Sequence, residues 1–258
     1  MDDDAGAAGP IRRAEPVMGT VVSFDVRPGR TPAREIYLAL AEARDRLHRA
    51  DAVFSTWKPN SPMSRLRRGE IRLPDAPPEM AEVLARCRTA KEMSGGWFDP
   101  WAMPGGVDPT GLVKGWAAEQ ALDALVQVGV EAAMVSAAGD IVVYGEPVPG
   151  RPWRIGIQAP WDRAGLIGVV DIRAAIATSG TYERGPHVLD PHTGQPASET
   201  LSATVLGPRL DLADALATAL VAGGSAALSD IERVDGYEAL MIRADGSRAA
   251  TGGFTLTA

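Results

Sequence analysis

A chain of 258 residues, 45% apolar and 23% charged, is long enough for a real core in one large domain or two intimate subdomains. Its net charge of −7, with Lys and Arg forming no stripe, argues against a nucleic-acid groove or an anionic membrane partner. The single cysteine, Cys87, excludes an internal disulfide and a cysteine-built metal site, and no run of about 20 apolar residues marks a membrane span.

Residues 1–15 are acidic at the start and lack an apolar signal core, so they read as a disordered lead on a cytoplasmic protein, with one domain over 16–258. "GTVVSFDV" alternates, with Val22, Phe24 and Val26 on one face, which predicts a strand. Thr31-Pro32 reads as an N-cap followed by a first-turn proline, and the helix behind it buries Ile36, Leu40, Ala43 and Leu47. "PPEMAEVLARCRTAKEMSGG" is a second helix stopped by Gly95-Gly96, with Cys87 inside it, and "KGWAAEQALDALVQVG" a third ending at Gly129. Short strands follow near 132–136, 141–144, 153–158, 167–172 and 174–178, and then "LSATVLG". A helix "DLADALATALVAGG" with a glycine stop, a further helix near 225–233 and two final strands close the chain. Strands and helices come in runs, not as alternating βαβ units, which predicts α+β with largely antiparallel sheets and packed helices.

Three stretches could carry chemistry. In "DLADALATAL", Asp214 and Thr218 stand four apart on one helix face beside an apolar ridge of Leu212, Leu216 and Leu220. A carboxylate in so apolar a helix needs a partner or an ion, and carboxylate plus hydroxyl is a hard-ligand pair suited to Mg²⁺. "GGWFDPWAMPGGVDPTGLVKGWAAEQ" repeats Asp-Pro and carries Trp97, Trp101 and Trp116; Lys114-Gly115 opens a helix there, where N–H groups and a cation suit phosphate. Neither a Walker spacing nor a G-x-G-x-x-G fingerprint is present. "ATSGTYERGPHVLDPHTGQP" holds His187 and His192 five apart, a spacing that fits neither a helix face nor a strand face. Asp190-Pro191 and Thr193-Gly194 are turn chemistry. On spacing alone, metal ligand, proton acceptor and plain turn all stay open.

"PVMGT", "FSTW", "GWFDP", "DPTGLVKGWAAE", "AAGDI", "PWRIGIQAP", "ATSGTYERG", "HVLDPHTGQP" and "ADALATAL" occur in this order over roughly 16–222. The series resembles ApbE-type FAD:protein FMN transferases. The resemblance implies an α+β fold with a flavin cleft between intimate sub-lobes. It also implies an enzyme that splits FAD with Mg²⁺, attaches FMN through a phosphoester to a Thr or Ser hydroxyl of an acceptor protein, and releases AMP; whether Mn²⁺ substitutes is left open. By the same resemblance, Asp214, Thr218 and Gly111 match metal-ligand positions. Met18, Trp57, Trp97, Phe98, Asp99, Asp108, Lys114 and Leu189 match flavin-nucleotide contacts. His187 matches the proposed catalytic base, and His192 fills a variable surface position.

Trp57 stands where the family has tyrosine, and the segment between Asp99 and Asp108 is shortened. Ala138 replaces the first glycine of Gly-Gly-Asp, a change that a negative φ would accommodate, and Ala217 replaces an acid found in some members. Hydrolysis of FAD to FMN and AMP, or flavin binding without catalysis, are the competing functions.

Overall fold

The computed structural model describes residues 9–181 and 188–257. Eight strands form an antiparallel sheet in the order β1-β2-β3-β4-β7-β8-β9-β10. They are β1 (Ile11–Val17), β2 (Thr20–Arg27), β3 (Ala132–Ala137), β4 (Asp140–Tyr144), β7 (Ala175–Gly180), β8 (Thr200–Gly207), β9 (Glu238–Arg243) and β10 (Arg248–Ala250). A separate hairpin pairs β5 (Trp153–Ala159) with β6 (Asp162–Ile172).

Five α-helices complete the chain: α1 (Ala33–Phe54), α2 (Pro62–Arg67), α3 (Pro78–Met93), α4 (Thr110–Gln127) and α5 (Leu210–Ile231). Helices α4 and α5 lie on one face of the sheet, with α1 and α3 outside them. The β5–β6 hairpin adds to a second core, in which Trp153, Ile157, Val170 and Ile172 join Ile141, Val143, Ile176, Leu240 and Ile242. Neighbours along the same strands, such as Val142, Ala177, Ala239 and Met241, belong to the helix-side core. Both faces of the central strands are therefore covered, which is why β4 and β9 read as apolar runs without alternation.

The α+β antiparallel reading holds, and the structure corrects four details. Residues 11–15 are part of edge strand β1, paired from Ile11↔Val26 to Val17↔Thr20, and are not a disordered lead. Arg12, Arg13 and Ala14 are exposed on that edge, so its sequence lacks the alternation that would mark it. Thr31 does not cap α1: its hydroxyl donates to the Gly129 carbonyl at 2.8 Å, tying the start of α1 to the end of α4, and Pro32 is the N-cap. Helix α4 begins at Thr110, so Lys114 lies one turn inside it, not at its opening.

Ala138 has φ 55, against the negative value expected. It forms with Gly139 (φ 93) a two-residue turn between Ala137 and Asp140, and such hairpins require left-handed backbone at both central residues. The glycine stop expected after "DLADALATALVAGG" is present within α5, a helix of 22 residues that is long and apolar enough to cross a membrane by length and composition. It breaks at Gly224, where φ is 52, and is largely buried against β7, β8, α3 and α4 as a core helix.

Candidate active site

The crossing of α4 over α5 positions the chemistry. A side chain at Gly115 would put its Cβ 2.6 Å from the Leu210 carbonyl and 2.8 Å from the Asp211 Cα, so only glycine lets the helices come this close. That approach brings Lys114 of α4 within 4.0 Å of the Asp214 carboxylate of α5. The Lys114 ammonium also pairs with the fully buried Asp140 of β4. Asp140 in turn accepts the Thr178 N–H at 3.0 Å, so the lysine is held from the sheet. Burial raises the Asp214 carboxyl above the ordinary Asp value, opposed by the Lys114 charge and the Gly115 N–H.

The wall opposite is built from "GGWFDP". Helix α3 stops where Gly96 N–H bonds the Lys91 carbonyl at 2.8 Å, and the chain turns back into Trp97, Phe98 and Asp99. Trp97 lies directly on α5: a Cβ on Gly223 would fall 2.2 Å from the indole. Phe98 and Thr218 both contact Gly111, whose added Cβ would meet each at 3.2 Å. Asp99 accepts from Lys91 at 2.6 Å and from the Trp101 N–H at 3.0 Å, so its carboxylate is already engaged by protein donors.

These residues line a cavity of about 280 Å³, bounded by Trp97, Phe98, Asp99, Asp108, Gly111, Lys114, Ser179, Leu189, Asp214 and Thr218. Met18 and Trp57 are not among them. They line a second cavity of about 690 Å³, with Thr56, Lys58 and Val113, and among the described residues the two cavities share only Thr110 and Lys114. Trp57 is 93% exposed, and Met18 sits in the left-handed region at φ 54, in the turn joining β1 to β2. A non-glycine residue at that φ is strained, and Met18 at this turn lines the second cavity.

His187 lies outside the described residues. The turn beyond it forms as its residues imply: Asp190 accepts from His192 N–H at 2.8 Å and from the Thr193 hydroxyl at 2.9 Å, and Gly194 takes φ 69. His192 is exposed, yet its ring packs edge-on against Trp97 with centroids 4.5 Å apart. It is a support for the cavity wall as well as a surface residue.

The donor set fits a hard cation. Among the described residues no group of three or more His, Cys, Asp or Glu could hold a metal. The Oδ2 of Asp214 is nevertheless buried without a hydrogen-bond partner. The Thr218 hydroxyl lies 3.3 Å from that of Ser179 on the same cavity wall. An orphaned carboxylate oxygen lining the same cavity as two hydroxyls is chemically the donor type that an oxygen-seeking ion keeping part of its water takes. Ser179, in the run of small donors Ala177-Thr178-Ser179-Gly180 that the sequence marks as the start of an anion-holding loop, lines the cavity, whereas Asp140 has no role in the sequence reading. The motif "AAGDI" is visible, but a strand carboxylate turned toward a helix lysine is not a spacing pattern.

Known proteins show the same architecture. The ApbE family model matches residues 18–105 and 102–241. The FAD:protein FMN transferase of Klebsiella pneumoniae (strain 342) is 35% identical over 151 residues, 54% of this chain and 43% of that protein. Its counterpart in Escherichia coli (strain K12) is 34% identical over 156 residues, 56% of this chain and 44% of that protein. The chain thus spans under half the length of these curated relatives. The flavin transferase ApbE from Vibrio cholerae superimposes with a TM-score of 0.81 at 23% identity, covering 95% of this chain and 98% of that one. The ApbE protein from Thermotoga maritima gives 0.82 at 22% identity, with 95% and 97% covered. With the family model matching most of the chain and running through the α4–α5 crossing and both cavities, the chain belongs to the ApbE family.

Proposed function

We propose that this protein is an FAD:protein FMN transferase that places FAD across both cavities, with its pyrophosphate at their shared wall. The observation that carries the reading is Lys114. It lines both cavities and lies 4.0 Å from an Asp214 carboxylate that keeps one buried oxygen unpartnered. The names of the sequence relatives support the same activity.

Asp214 and Thr218, with Gly111 beside them, would hold Mg²⁺, which when bound neutralises charge on the pyrophosphate oxygens. Lys114, braced by Asp140 and adjacent to Asp214, holds the same phosphates with its ammonium. Trp97 and Phe98 wall the smaller cavity, here the inner one, and Trp57 the larger, outer one, offering flat faces to the ring systems of the dinucleotide. Met103, Asp108 and Leu189 close the inner cavity. His187 takes the proton from the acceptor Thr or Ser hydroxyl as its oxygen bonds the FMN phosphorus. The bridging P–O bond then breaks and the electron pair leaves with AMP.

The test is incubation with FAD and Mg²⁺, with and without a candidate acceptor bearing an exposed threonine. AMP release and flavin fluorescence on the denatured acceptor band are then read together. Fluorescence that follows the acceptor, with matching AMP, is the expected result. Free FMN and AMP regardless of acceptor would make the protein a hydrolase, and bound but intact FAD would make it a flavin carrier.

A further inference from the structure

We propose that Arg67 is a positioning residue that fixes the 103–108 loop as a wall of the nucleotide cleft; this rests on the functional reading above. Arg67 ends α2, and its guanidinium makes three contacts with that loop. Its Nε donates to the Gly105 carbonyl at 3.1 Å, and its two terminal nitrogens donate to the Pro104 carbonyl at 2.8 Å and to Asp108 Oδ2 at 3.3 Å. The Arg67 side chain is only 16% exposed. A planar fork of donors can meet three fixed acceptors at once, whereas a lysine ammonium cannot match that geometry.

The loop is shaped to receive it. Gly105 and Gly106 hold φ 79 and 103, and a Cβ on Gly105 would lie 2.9 Å from the guanidinium. A short segment carrying two left-handed glycines is costly to order without such an anchor. Met103 and Asp108 of this loop line the inner cavity. The other oxygen of Asp108 accepts from the Thr110 N–H at 3.0 Å and hydroxyl at 2.7 Å. One carboxylate therefore joins Arg67 to the start of α4, the helix carrying Gly111 and Lys114.

The opposite end of α2 is anchored to the outer cavity. The Ser61 and Ser64 hydroxyls donate to the Ser55 carbonyl at 2.5 and 3.2 Å. The Ser55 hydroxyl accepts from the Trp57 and Lys58 N–H groups at 3.3 and 3.2 Å. Helix α2 is thus a strut between the Ser55–Lys58 wall of one cavity and the 103–108 wall of the other, and Arg67 is its joint with the second.

The experiment compares the full-length wild type with Arg67→Met, Arg67→Lys and the neighbouring Arg68→Met. Three readouts are taken: amide hydrogen exchange over 103–108 without ligand, FAD affinity with Mg²⁺ by flavin fluorescence, and the melting temperature. Among the described residues the Arg68 side chain bonds only Glu70 and the Pro59 carbonyl, so Arg68→Met should leave loop exchange and affinity unchanged. Arg67→Met should speed exchange across the loop and weaken FAD by about tenfold, the effect of losing charge-assisted hydrogen bonds, with little change in melting. Arg67→Lys should fall between on both readouts, and it decides the matter if the methionine variant does not fold. Unchanged exchange, or faster exchange with unchanged FAD affinity, overturns the proposal. A wild type that binds no FAD overturns the functional reading instead, and the exchange data then judge the anchor alone.

Discussion

Ala138 turns the β3–β4 hairpin at φ 55, where an L side chain costs roughly 1 kcal/mol relative to glycine. Ala138→Gly should therefore raise unfolding stability by about that amount, read as a higher urea midpoint with an unchanged slope. An equal or lower midpoint would show that the turn carries no such strain. Two residues away, Asp140 pairs with Lys114, so relaxing the turn also tests whether the lysine depends on it. At the same scale His187→Ala should slow transfer by roughly 10²–10⁴-fold while FAD binding persists, the usual loss of a general base. The partner experiment is His192→Ala. Its edge-on contact with Trp97 predicts FAD binding about 2–10-fold weaker at an unchanged rate, the worth of one aromatic pair. The sequence placed Asp214 and Thr218 on one helix face by their spacing alone. It could not show that Trp97 leans on His192, because that contact joins a helix exit to a hairpin turn 95 positions later.

Among the elements, α4 and α5 matter most. Gly115→Ala would press a methyl group into the Leu210 carbonyl, forcing the helices apart at the point that sets the Lys114–Asp214 distance. Overpacking of this kind should cost about 1–3 kcal/mol and weaken FAD binding as well; loss of stability with unchanged affinity would separate the crossing from the site. Glu119, one turn beyond Gly115, caps the other helix: it accepts the Leu210 N–H at 2.6 Å and binds Arg209 at 2.9 Å. Burial first, then the charge of Asp211, pushes the Glu119 carboxyl up to about 7, and burial pushes Asp211 up to about 6.

Because these values are raised, the folded state binds protons more tightly than the unfolded chain. This contribution is therefore complete below the ordinary carboxylate range and lost as pH rises through about 7. Stability should fall by roughly 1–3 kcal/mol between pH 5 and 8, and Glu119→Gln should flatten most of that decline. An unchanged slope in the variant would assign the effect to other groups. The amphipathic pattern made both helices legible, but their crossing was not, since a glycine contact is visible only once two distant segments meet.

For the whole molecule, the sheet sets the plan. Its order is mostly sequential, with β5 and β6 set aside as a hairpin, so runs of strands in the sequence became neighbouring strands in space. That made the fold class readable. The site was readable only as a set of residues: the motifs grouped Met18 and Trp57 with Trp97, Phe98 and Asp108, whereas the structure divides them between two cavities joined at Thr110 and Lys114. Trp57, 93% exposed, belongs to the outer one. Trp57→Ala should weaken FAD binding more than it lowers the rate at saturation, the signature of uniform stacking; an unchanged dissociation constant would remove that side chain from the nucleotide path.

In the function proposed above, Asp214, beside Lys114 at the crossing of α4 and α5, helps to bind the pyrophosphate of FAD through a hard cation. Titrating FAD fluorescence with and without Mg²⁺, in the wild type and in Asp214→Asn, tests it most directly. Mg²⁺ should tighten FAD binding in the wild type by about tenfold, the worth of one charge-assisted contact, and should have no effect in the variant, whose melting temperature stays at or above that of the wild type. Equal tightening by Mg²⁺ in both proteins would contradict the assignment.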